Sequence, residues 1–127
     1  MKILLLIASG GAIGALLRHA LVSITGHLTG DGIGLGTIVV NVLGSFLMGV
    51  IAALVLRHPS LEPTLRPLLM TGLLGALTTF SAFSLDVQRL WERELALASV
   101  FYIAGSVFFS LVALFIGMRL TNHFSNG

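Results

Sequence analysis

Two stretches of this chain, Ile33 to Leu56 and Leu95 to Met118, each run for about 24 residues without one charged side chain. A helix needs about 20 mainly apolar residues to cross the hydrocarbon core of a bilayer. Pro67 to Leu85 supplies a third uncharged run of about 19 residues, and Ile3 to about Gly26 a fourth that is interrupted by Arg18. The expected fold class is an all-α membrane protein with four transmembrane helices, residues 1–127 forming a single domain. The breaks fall at His27 to Gly32, at Arg57 to Pro67 with its His-Pro and Glu-Pro steps, and at Asp86 to Glu94. Each is short and polar, so neighbouring spans are expected to pair as antiparallel hairpins.

Composition agrees and removes other classes. Charged residues make up 9% of the chain and hydrophobic residues 56%, with a mean hydropathy of +1.03. A soluble domain carries about 25% charged residues, so this chain cannot coat a water-facing surface. The 15 glycines suit membrane helices that approach closely. Cysteine is absent, which excludes disulfides, Cys-ligated zinc and a thiol nucleophile. Seven scattered basic residues make no patch for nucleic acid and read better as topology markers. Lys2 and the apolar run after it resemble a signal peptide. No soluble module follows, so a retained first helix is expected.

In hydrocarbon a polar side chain needs a partner or a purpose. The second span carries Thr37, Asn41 and Ser45 at intervals of four, along one helix face. The fourth repeats that spacing with Tyr102, Ser106 and Ser110. Two readings of these neutral stripes stand side by side. One is helix glue, as in a non-transporting assembly factor; the other is a path for a small ion handed between amide and hydroxyl groups. An anion suits such a path better than a proton. The acids Asp31, Glu62, Asp86, Glu92 and Glu94 read as lying at connections or span ends, as do His19, His27, His58 and His123. That distribution counts against a cation pump and against a proton-coupled exporter of the small multidrug type. It also leaves no nucleophile–base pair or metal-ligand cluster for an enzyme.

The third span is unusual. Gly72, Gly75, Thr78 and Thr79 fall in its middle, and Gly and Thr cost up to about 1 kcal/mol each in a helix relative to Ala. A helix broken here frees backbone groups, which are tolerated at depth only if protein or an ion satisfies them. Bare carbonyls suit a hard cation. Propensity alone leaves a continuous helix equally open. Phe80 and Phe83, three residues apart, share a face beside this point. Packing explains such a pair as readily as a pore does. Yet a phenyl ring has a positive edge, and paired rings can line a dehydrated anion path.

Orientation is nearly undetermined by charge. The side holding both termini and the second connection has Lys2, Arg57, Arg66 and Arg119; the other has Arg89 and Arg93, with Arg18 if it reaches that surface. Single-topology proteins show a clear Lys/Arg excess in cytoplasmic loops. This balance fits a chain that inserts both ways and pairs with itself in antiparallel fashion, although so few charges also permit no conclusion.

Three ordered segments carry a resemblance. Gly10-Gly-Ala-Ile-Gly-Ala-Leu-Leu-Arg18, Gly36-Thr-Ile-Val-Val-Asn-Val-Leu-Gly-Ser-Phe-Leu-Met-Gly49 and Gly75-Ala-Leu-Thr-Thr-Phe-Ser-Ala-Phe83 are similar to the signature segments of the Fluc (CrcB) fluoride channels. Ala82 stands where that family often has Thr. The resemblance implies a passive, fluoride-selective channel in the bacterial inner membrane, built as an antiparallel, dual-topology homodimer with two pores. It implies that Phe80 and Phe83 face the ions and that Asn41 donates to fluoride. Ser106, Ser110, Tyr102 and Thr37 would extend the polar track. A structural sodium ion on the dimer axis would be held by backbone carbonyls at the break in the third helix, at Gly75 and Thr78. Arg18 would stand at an aqueous vestibule, a place that an interfacial snorkelling anchor would equally occupy.

Overall fold

The computed structural model describes residues 1–30 and 34–124, so Asp31 and the rest of residues 31–33 lie outside the described residues. Among the described residues, four helical spans are long and apolar enough to cross a membrane: Lys2–Thr29, Leu35–Arg57, Pro59–Glu92 and Ala96–Phe124. We label them by their regular segments. Lys2–Thr29 is α1 and Leu35–Arg57 is α2; the third span holds α3 (Glu62–Leu65), α4 (Gly75–Leu77) and α5 (Phe80–Glu92), and Ala96–Phe124 is α6. Leu4, Leu16, Leu97, Phe101 and Phe115 are among many large apolar side chains that stay exposed. In a water-soluble protein so broad an apolar surface would drive association; here it is what lipid requires.

The third span is longer than its uncharged core at both ends. Residues 86–92 belong to α5, not to a connection, and the third span begins at Pro59 rather than Pro67. The apolar-run criterion stops at the first ionisable side chain, but helical hydrogen bonding does not. Asp86 pairs with Arg89 one turn on and Glu62 with Arg66, so those charges find partners on their own helices without ending them. The true turn after α5 is tighter. Arg93 leaves the helix, Glu94 takes a positive φ of 59°, and the Leu95 amide donates back to the Leu90 carbonyl at 3.1 Å.

Glycines set the helix spacing. A methyl on Gly10 or Gly14 of α1 would collide with the carbonyl oxygens of Leu68 or Leu73 in the third span, and one on Gly72 would lie 2.8 Å from the Ile7 carbonyl oxygen. The α2–α6 pair uses the same device reciprocally. Gly49 lies against the Leu114 carbonyl, and Gly117 against that of Phe46. Without a hydrophobic effect between helices in lipid, such backbone-to-backbone approach supplies the van der Waals contact that holds them.

The third span is irregular from its start. Pro63 and Pro67 lack backbone donors, and proline in a helix crowds the carbonyl four residues earlier. Arg66–Leu74 accordingly widens into a π-helix, a form found mainly as short insertions near functional sites. The widened segment packs on α1. Val40, Leu74 and Leu77 form the inner core, with Leu21, Leu47 and Met48 around them.

Candidate functional site

The site grows from two residues of non-helical backbone. α4 ends at Leu77; Thr78 has φ −79° and ψ 153°, and Thr79 φ −153° and ψ 122°. The chain then re-enters a helix at Phe80. Extended backbone inside a packed span leaves polar groups to be satisfied, and side chains satisfy several. Thr79 caps α5, its Oγ1 accepting from the Ala82 amide at 3.1 Å. Asn41 on α2 completes the repair. Its Nδ2 donates to the Thr79 carbonyl at 3.1 Å, and its Oδ1 accepts from the Thr79 amide at 2.8 Å. The side chain thus stands in for a neighbouring strand. A primary amide has two N–H donors, so one remains after this pairing.

Around the interruption lies a groove of about 530 Å³, lined by Asn41, Ser45, Gly75, Thr78, Phe80, Phe83, Ser106 and Ser110 among others. The polar stripes of the second and fourth spans meet the paired phenylalanines there. Phe80 and Phe83 have ring centroids 5.3 Å apart, tilted by 47°. Phe83 is buried, whereas Phe80 is 77% exposed, so a single protomer leaves the groove open on the Phe80 side. Ser106 is buried, and its Oγ has no hydrogen-bond partner among the described residues. A buried hydroxyl without a partner costs about 1–3 kcal/mol and calls for an explanation in the site itself. The groove also meets the N-terminus of α5, where unpaired amides and the helix dipole favour negative charge.

Thr37, Tyr102 and Arg18 stand elsewhere. Thr37 Oγ1 donates to Asp86 Oδ2 at 2.6 Å, and the Tyr102 hydroxyl lies 3.1 Å from the same oxygen. Tyr102 reaches the groove only through its ring, which stacks on Phe83 at 5.7 Å and 14°. Arg18, half-buried, lines a separate cavity of about 570 Å³ with His19, Thr37, Thr79, Asp86 and Arg89. Thr79 borders both spaces, so the interrupted backbone separates the Arg18 cavity from the groove.

Sequence reasoning passed over two residues. Thr79 is a cap as well as a helix breaker. Asp86 lies inside α5 rather than at a span end; its side chain is only 12% exposed and joins three spans. The signal was present: continued as a helix, the third span puts Asp86 three residues after Phe83, on the same face. Groups of three or more His, Cys, Asp or Glu able to hold a metal are absent among the described residues.

Four apolar spans, an interrupted third span and a groove that gathers Asn41, Ser45, Ser106 and Ser110 define a multi-pass membrane protein with neutral polar side chains collected at one open groove. Residues 5–118 match the family described as CrcB-like protein, Camphor Resistance (CrcB), and the chain belongs to that family. Relatives named fluoride-specific ion channel FluC share 47% identity over 117 residues in Chelativorans sp. (strain BNC1), covering 92% of this chain and 94% of the relative. In Rhizobium etli (strain ATCC 51251) the identity is 48% over 116 residues, covering 91% and 93%. In Aeromonas salmonicida (strain A449) it is 42% over 120 residues, covering 94% and 96%. These relatives are named as channels, not enzymes.

Proposed function

We propose that the chain is one protomer of a fluoride-selective passive channel that lets cytoplasmic fluoride leave the cell and so protects against its toxicity. The observation that carries this reading is one groove lined by Asn41, Ser106, Ser110 and the Phe80–Phe83 pair, with the Ser106 hydroxyl buried and without a partner among the described residues at its wall. Fluoride is small and tightly hydrated, so a selective path must replace water with close donors. The Ser106 hydroxyl, the remaining Asn41 N–H and the positive ring edges are such donors. None carries a formal charge that would trap the ion. Thr37 and Tyr102 extend the polar track beyond the groove, Thr37 at the Arg18 cavity and Tyr102 behind Phe83, and Arg18 belongs to the vestibule on the far side of Thr79. Hydrogen fluoride crosses membranes and dissociates in a less acidic cytoplasm, so a leak driven by an inside-negative potential exports the anion.

The working unit in this reading is an antiparallel, dual-topology homodimer in the bacterial inner membrane, with two pores built from both protomers. The exposure of Phe80 and the open side of the groove support it, since a second copy would close the path. In this reading the break in the third helix lies at membrane depth, and the Gly75 and Thr78 carbonyls would hold a structural sodium ion there. The donor set fits a hard cation. Gly75 is exposed, and a methyl there would meet nothing nearer than the Met70 carbonyl oxygen at 3.5 Å. A proton-coupled exporter is disfavoured because Asp86, the acid nearest the groove, already has Arg89, Thr37 and Tyr102 as partners.

The test is anion efflux from liposomes holding the purified protein, under a potassium–valinomycin clamp. Rapid fluoride loss with chloride retained is expected; retention of both by a correctly reconstituted protein sinks the reading. Phe80→Ile or Phe83→Ile is expected to cut fluoride efflux without changing the size-exclusion profile, and unchanged efflux would remove that ring from the path.

A further inference from the structure

A histidine stands among the arginines on the far side of Thr79. Ala15, Arg18, His19 and Val22 fall at i, i+3, i+4 and i+7 of α1, one stripe of a helix, and all four line the cavity of about 570 Å³ there. Leu16 and Leu17, between them in sequence, line no part of it and stay exposed. The charged groups that share the space with His19 can be counted. Arg18 comes from its own helix, Asp86 and Arg89 come from α5, and α2 contributes only the neutral Thr37. Two guanidiniums less one carboxylate leave a formal charge of +1, which a proton on His19 doubles. The carboxylate is the most withdrawn of these groups: its side chain is 12% exposed against 61% for Arg89, and it already accepts from Thr37. Arg93 adds charge of the same sign next door, in a smaller cavity that it lines with Val22, Asp86 and Arg89. His27, two turns farther along α1, does not line the His19 cavity.

A cleft of one sign of charge between low-dielectric walls concentrates the opposite ion and speeds its entry. Arginine supplies that charge at every working pH. Histidine supplies it conditionally, because an imidazole is the side chain that ordinarily changes charge between about pH 5 and 8. His19 is exposed, so protons reach its ring from the cavity. We propose that His19 is a charge-adjustable member of the anion entrance, and that its protonation strengthens fluoride capture beside Arg18 as the pH on that side falls. This rests on the fluoride-channel reading and adds to it a dependence on pH. The sense suits the load, since acid converts fluoride to the permeant hydrogen fluoride. The condition that fills the cell thereby raises capture at the exit route. Proton and anion are linked reciprocally: whatever factor the proton adds to anion affinity, the anion adds to proton affinity.

The test is fluoride current through the purified protein in planar bilayers, at low fluoride and low ionic strength, with both sides moved together from about pH 8 to about pH 5.5. Hydrogen fluoride is a far stronger acid than imidazolium, so fluoride stays ionised throughout, and the neutral acid carries no current. The wild-type current should rise about threefold, the size of one added charge a few ångströms away in a wet cavity. Inert salt should compress that rise by screening, which a merely structural histidine would not show. His19→Gln should be flat with pH at the wild-type alkaline level, and His19→Arg flat at the acid level. A wild-type current that does not rise, or a rise that salt leaves intact, would overturn the proposal. So would a His19→Gln current that keeps the full rise, which would move the titration to another group such as Asp86. Wild-type protein that carries no fluoride current at any pH would remove the channel reading itself, and the proposal with it, an outcome distinct from a channel that conducts without regard to pH.

Discussion

Asn41 and Ser106 face the same groove with opposite hydrogen-bond situations, and the difference decides what each can do. Asn41 bonds the Thr79 backbone from both ends of its amide, so its orientation is set before any ion arrives. Ser106 is buried with no partner for its hydroxyl among the described residues, so in the proposed channel its proton is still available to donate. Truncating them should therefore have different signatures. Ser106→Ala removes an unsatisfied group from the ion-free protein, so thermal stability should hold or rise slightly. Fluoride efflux, by contrast, should fall about tenfold or more, because hydrogen bonds to charged partners contribute about 1.5–3 kcal/mol. Melting curves in detergent and liposome efflux on the same preparation check both halves. Wild-type efflux from Ser106→Ala would show that the hydroxyl is not on the path.

At the scale of elements, close approach of backbones is the main packing device, and it carries its own prediction. Gly117 of α6 sits against the Phe46 carbonyl of α2, and Gly49 returns the contact against Leu114. Gly117→Val has no flexible neighbour to displace, so α2 and α6 must move apart. Overpacking of this kind costs about 1–3 kcal/mol, which a lowered melting temperature in detergent would register; no change would mean that the helices tolerate separation. The elements also show what sequence could convey. The four spans were legible because uncharged length is a direct physical requirement of lipid. Their ends were not, because Asp86 and Glu62 find partners on their own helices and helical bonding continues past them. The meeting of Asn41, Phe80, Phe83, Ser106 and Ser110 in one groove followed from two stripes and one glycine–threonine segment. The separate Thr37–Tyr102 cluster is hidden from sequence because Asp86, which both hydroxyls meet, falls where the uncharged run stops and so reads as a span end.

For the whole molecule, two features bear on assembly: a groove open at Phe80 and basic residues divided almost evenly between the two sides. If carbonyls at Gly75 and Thr78 hold sodium between two copies, exchanging sodium for a large organic cation should slow efflux or loosen the dimer. Efflux and cross-linking that are indifferent in a fully exchanged sample would reject that ion. The charge balance allows a more decisive test. Orientation follows the Lys/Arg bias of short loops, and Lys2, Arg57, Arg66 and Arg119 face only Arg89, Arg93 and Arg18. Adding two lysines beside Arg57, in the turn between α2 and the third span, should fix one orientation without touching the groove. A chain forced into one orientation cannot supply both halves of an antiparallel pair, so fluoride resistance from the single altered gene should collapse. Co-expression with a copy carrying lysines beside Arg93 instead should restore it, because the two variants insert in opposite senses and each closes the other's open groove. Rescue by that mixture excludes simple misfolding as the cause. Full resistance from the fixed-orientation variant alone would instead mean that the groove is closed by a parallel neighbour or works within one protomer.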